Sequence, residues 1–92
     1  MTEETIRRRV VVHGRVQGVF FRDTARREAS SRGVAGWVTN RPDGAVEAVF
    51  EGDPEAVRSL IDFASEGPRG AEVEKVEESE EEPEGLTGFD VR

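Results

Sequence analysis

The chain has 92 residues, of which 35% are hydrophobic and 36% charged, so its length suits one domain. It has no cysteine, which excludes disulfides and thiolate chemistry, and no apolar run of membrane-spanning length. Its net charge of −7 argues against a nucleic-acid binder, which needs a broad basic face.

That charge is unevenly spread. Residues 1–41 hold nine arginines against four acids, whereas residues 42–92 hold three arginines and one lysine against sixteen acids. A basic site on an acidic chain suits a small anion. The start, Met1-Thr2-Glu3-Glu4, has no apolar core and does not read as a signal peptide. The expectation is a cytoplasmic, monomeric, single-domain protein over residues 1–92, with no membrane association and no nucleic-acid partner. A domain this small buries only ~60–65% of its unfolded surface.

Residues 6–13 alternate as a strand, with Ile6, Arg8, Val10 and Val12 on one face and Arg7, Arg9, Val11 and His13 on the other. His13, the only histidine, cannot build a metal cluster alone and is read as structural. Next come Gly14-Arg15-Val16-Gln17-Gly18-Val19-Phe20 and a helical pattern over residues 21–32. Phe21, Ala25 and Ala29 form its apolar stripe, and Gly33 is placed as a C′ glycine. Residues 34–40 and 45–51 read as a hairpin around Arg41-Pro42-Asp43-Gly44.

Residues 53–66 form the clearest helix, with Asp53 as N-cap, Pro54 at N1, and Val57, Leu60, Ile61 and Ala64 on one face. Residues 71–79 suggest a fourth strand. The acidic run 77–84, broken by Pro83, reads as a ragged strand end and a solvated loop. Phe89 and Val91 fit a short last strand. The order predicts a ferredoxin-like βαββαβ sandwich of the α+β class, an antiparallel sheet with two helices on one face.

The strand, glycine loop and helix start around residues 12–22 can turn several backbone N–H groups toward one point. Arg22 falls in the first helical turn, where a cation opposes the helix dipole unless an anion sits between them. From the residues alone, an anion site and a plain two-glycine loop with a solvated arginine both remain open. Asn40, directly before Arg41-Pro42-Asp43-Gly44, is equally consistent with ordinary turn chemistry.

The stretch Gly14-Arg15-Val16-Gln17-Gly18-Val19-Phe20-Phe21-Arg22 resembles the signature of the acylphosphatase family. The block Gly36-Trp37-Val38-Thr39-Asn40-Arg41-Pro42-Asp43-Gly44-Ala45-Val46-Glu47 resembles that family's other signature. The similarity covers nearly the whole chain. It implies metal-independent hydrolysis of acyl phosphates to a carboxylate and phosphate. Arg22 matches the phosphate-binding arginine and Asn40 the asparagine that orients the attacking water. Arg15, Val16, Gln17, Gly18, Val19 and Phe20 match the phosphate-binding loop. The resemblance implies no cofactor and no metal, with inorganic phosphate or sulfate as competing anions.

Elementary chemistry agrees with that resemblance. An acyl phosphate has a good leaving group, so positioning and charge stabilisation are the main tasks. Arginine presents a planar fork to two phosphate oxygens, and an asparagine can hold a water without deprotonating it. Two other readings compete. One is a binding module of the same fold, as in larger hydrogenase-maturation proteins that handle carbamoyl phosphate; an end directly after the domain favours the free enzyme. The other is an RNA-binding ferredoxin-like domain, which needs paired aromatics on its central strands. Strands one and three lack that pair.

Overall fold

The computed structural model describes residues 4–18 and 20–92. Strand β1 runs Ile6–Arg15 and helix α1 Phe21–Ser31; strands β2 (Ala35–Asn40) and β3 (Val46–Gly52) form the hairpin. Helix α2 spans Pro54–Glu66, followed by β4 (Glu72–Glu81) and β5 (Phe89–Val91).

Each element follows from local chemistry. The Asp53 carboxylate accepts from the Glu55 and Ala56 N–H groups at the start of α2, satisfying two of its orphan donors. The hairpin closes when the Gly44 N–H donates to the Arg41 carbonyl at 3.1 Å. One core lies between helices and sheet. Val10 and Val12 from β1, Val38 from β2 and Val46, Ala48 and Phe50 from β3 face Phe21, Ala25 and Ala29 of α1 and Val57, Leu60, Ile61 and Ala64 of α2. The predicted alternation of β1 and β3 and both helical stripes stand.

The sheet order is β4-β1-β3-β2-β5. The first four strands pair antiparallel, but β5 lies parallel to β2, with Gly36, Trp37 and Val38 opposite Phe89, Asp90 and Val91. The expected all-antiparallel sheet is therefore corrected to a mixed one. The reason is connectivity: β4 and β5 occupy opposite edges, so segment 82–88 crosses the sheet at the end where β4 leaves. β5 then starts beside the start of β2 and must run with it.

A second correction concerns the acidic run. β4 continues through Glu81, with Arg7, Arg8 and Arg9 opposite Glu81, Glu80 and Ser79. Cross-strand charge pairing compensates the poor strand propensity of glutamate. Arg8 reaches Glu80 at 3.1 Å, and Glu81 takes the Arg7 and Arg9 guanidiniums at 2.7 and 2.6 Å. Arg9 also pairs with Glu47. The two halves of opposite charge thus meet along one strand pair.

At the centre of this network Arg7 and Glu51 are only 4% and 3% exposed. The Glu51 carboxylate accepts from Arg7 at 3.2 Å and from the backbone N–H groups of Glu84, Gly85 and Leu86 at 3.0, 2.8 and 2.9 Å. Burial alone pushes its pKa up, but the Glu84 and Leu86 N–H groups, Arg7 and the Gly85 N–H outweigh it and hold it below the ordinary glutamate value. Glu81 is held low by Arg7 and Arg9.

A carboxylate with a lowered folded-state pKa contributes stability that is complete above its unfolded value and is lost as pH falls through the folded one. Glu51→Gln removes the charge that balances Arg7, which keeps Glu81 and Glu84 as partners. The expected cost at neutral pH is about 2–4 kcal/mol. Urea unfolding of both proteins from about pH 7 downward should show a shallower acid loss for the variant. Parallel curves would contradict this account of Glu51.

Candidate functional site

The site begins where β1 ends. A bulge at His13/Gly14 breaks the β1–β4 register. A Cβ on Gly14 would lie 2.1 Å from the Glu72 carbonyl oxygen, so only glycine lets the strands approach here. His13 Nε2 lies 3.6 Å from Glu77 and is buried with no hydrogen-bond partner among the described residues. Val16 then anchors the loop in the core.

Gly18 has φ 78°, a conformation glycine reaches without penalty, and nothing lies within 4 Å of where a side chain would stand. Phe20 is the N-cap of α1 in the left-handed region, φ 60° and ψ 25°, and makes no side-chain cap bond. The first-turn N–H groups of α1 are therefore not closed off by a capping side chain. Val19 lies outside the described residues.

Arg22 stands in that first turn, as the sequence predicts. Its guanidinium donates to the backbone oxygen of Arg92 at 3.0 Å, tying α1 to the end of β5. The Arg92 N–H in turn donates to the Val38 carbonyl at 2.8 Å, and the Arg92 guanidinium lies over the Trp37 ring at 4.6 Å. Trp37 is a half-buried packing residue on the open face of the sheet.

Asn40 ends β2 on the same side of the strand as buried Val38, the side that faces the helices. Arg22 and Asn40 border one cavity of about 400 Å³, together with Val16, Gly18 and Phe20 of the loop. Phe21, Asp23, Arg26 and Val91 complete its wall. Arg15, expected in the cradle, is the last residue of β1 and is not among the residues that line the cavity.

The Gln17 side chain makes contacts of its own, apart from the backbone role expected of the loop. Its side-chain amide donates to the Arg41 and Ala45 carbonyls, both at 2.8 Å. It clamps the loop to the β2–β3 turn next to Asn40. That turn is itself braced: the Asp43 carboxylate accepts from the Ala45 N–H, and this bond, ahead of the nearby Arg41 charge, keeps its pKa low. Gln17 was legible only as part of a motif, because its partners lie 24 and 28 residues away. Val91 gave no signal of belonging to the site at all.

Chemically the cavity offers the Arg22 guanidinium, the Arg26–Asp23 ion pair, backbone donors without a capping side chain and one carboxamide beside apolar walls. Among the described residues no group of three His, Cys, Asp or Glu side chains is gathered to hold a metal ion. No described helix is long and apolar enough to cross a membrane.

Residues 8–91 match the family model described as Acylphosphatase. An acylphosphatase from Gloeobacter violaceus is 56% identical over 86 residues, covering 94% of this chain and 92% of the relative. Among solved structures, an acylphosphatase from Coxiella burnetii superposes with a TM-score of 0.91 at 38% identity, covering 96% of this chain and 93% of that one. One from Bacillus subtilis gives 0.90 at 38% identity, covering 95% and 98%.

Gln17→Ala removes both bonds of the clamp and is expected to cost about 1–3 kcal/mol in urea unfolding. Amide hydrogen exchange should quicken at Gln17 and Gly18 more than in α2. A uniform change across the chain would show that Gln17 braces the fold and not this loop.

Proposed function

The chain belongs to the acylphosphatase family, and from that premise we propose that it hydrolyses acyl phosphates at the α1 cavity, with Arg22 holding the phosphoryl group and Asn40 the water. The observation that carries this reading is the meeting of Arg22, from a helix, and Asn40, from a strand, at one cavity beside the glycine loop.

The phosphoryl oxygens lie against the backbone N–H groups of residues 16–20 and the first turn of α1, with the Arg22 fork on two of them. Donors fixed by a folded loop need no reordering as charge develops. The Asn40 carboxamide orients a water in line with the acyl oxygen. The water oxygen bonds to phosphorus, the bond from phosphorus to the acyl oxygen breaks, and its electron pair leaves with the carboxylate. The water's proton ends on phosphate. Carboxylate is a good leaving group, so no strong acid is required.

Charge stabilisation comes from Arg22 and backbone donors, so catalysis is metal-independent, and no cofactor takes part. Arg15 serves the loop by ending β1 and Gln17 by clamping it; Val19 contributes its backbone. The lack of cysteine fits a cytoplasmic setting.

Arg22→Ala should lose both phosphate affinity and turnover. Asn40→Ala should lose turnover by about 10²–10³-fold while still binding inorganic phosphate. Steady-state kinetics, phosphate calorimetry and thermal melts of each variant separate these effects. Near-normal turnover in folded Asn40→Ala would reduce Asn40 to a turn residue.

Activity should also survive EDTA, and inorganic phosphate or sulfate should raise KM at constant kcat. Loss of activity with EDTA and recovery with a divalent ion would overturn the mechanism.

A further inference from the structure

Phe20 is placed against two ordinary preferences at once. It is the one described residue other than glycine with positive φ, a conformation a bulky side chain adopts only at a cost. Its ring is also 80% exposed. The neighbouring Phe21 shows the usual alternative: it is buried and packs on Phe63 at 5.5 Å between ring centroids. Phe20 makes no such aromatic pair among the described residues. A single exposed apolar residue needs no explanation. Here, however, the other exposed large hydrophobic among the described residues is Val91, 41% exposed, and both border the same cavity.

The charges of that cavity point the same way. Arg26 borders it, but its guanidinium is paired with Asp23 at 3.1 Å, and Asp23 also takes Arg27 at 3.2 Å. Arg22 meets only a backbone oxygen. With a phosphoryl group on Arg22, no uncommitted cation remains at the wall to receive a second anionic group.

We propose that Phe20 and Val91 form an acyl-binding subsite that selects substrates with an uncharged, apolar acyl group, aromatic or branched, over acetyl or dicarboxylic acyl phosphates. This rests on the acyl phosphate hydrolysis proposed above. The ring covers the apolar acyl group while phosphate sits in the loop, so the strain at Phe20 is offset only when substrate is bound. Loop and ring act on opposite ends of one substrate: the backbone of Phe20 faces phosphate and its side chain the acyl group.

The test is the ratio of kcat/KM for benzoyl phosphate to that for acetyl phosphate and for succinyl phosphate, measured on the wild-type chain, Phe20→Ala, Phe20→Asn and Val91→Thr. Asparagine tolerates the left-handed conformation, so Phe20→Asn removes the ring while keeping the loop's backbone geometry accessible. The wild-type chain should prefer benzoyl phosphate by about tenfold or more over both others. Each Phe20 variant should lose most of that preference, and Val91→Thr part of it. Equal losses on all three substrates would mean loop collapse and overturn the subsite. So would a wild-type chain that handles acetyl or succinyl phosphate as well as benzoyl phosphate, with the function itself left standing. Hydrolysis of none of the three would instead overturn the function and the subsite with it.

Discussion

The buried carboxylate of Glu51 is the interaction on which the rest of the structure depends. It lies between one guanidinium and three consecutive backbone N–H groups, so it joins β1 and β3 to segment 84–86. A buried charge is tolerable only when fully partnered, and here the partners are fixed by both sheet register and loop conformation. Segment 84–86 leads into β5, and Arg92 directly after that strand receives Arg22 and lies over the Trp37 ring. One carboxylate on the open face of the sheet thus supports a side chain on the helix side.

Two clamps of different kinds hold the site. Gln17 ties the loop to the hairpin turn through neutral hydrogen bonds to two carbonyls. Arg22 ties the helix start to β5 through one charged donor on one carbonyl. The first is part-buried. The second is exposed.

The charge distribution has a structural use as well as a functional one. Most of the basic half of the sequence does not face the cavity. Arg7, Arg8 and Arg9 are spent on the acids of β4, and Arg26 and Arg27 on Asp23. What remains at the cavity is a single arginine with backbone donors. This is a narrow field suited to one phosphoryl group and unsuited to a polyanion.

The sequence by itself determined the elements and the family. The spacing of Val57, Leu60, Ile61 and Ala64, the Asp53 cap and the alternation along β1 and β3 are local rules, and local rules need only neighbours in the chain. The two signature blocks pointed to Arg22 and Asn40, and both border one cavity. Tertiary structure alone decided three things. β5 runs parallel to β2 because segment 82–88 crosses the sheet, a matter of which edge is free. The strand β4 runs on past residue 79 through Glu80 and Glu81 because Arg8 and Arg7, some 70 residues earlier, lie opposite them, a pairing no local propensity contains. Gln17 clamps and Val91 walls the cavity because the fold brings distant backbone to them. Each depends on contacts between residues far apart in sequence, where composition and periodicity carry no information.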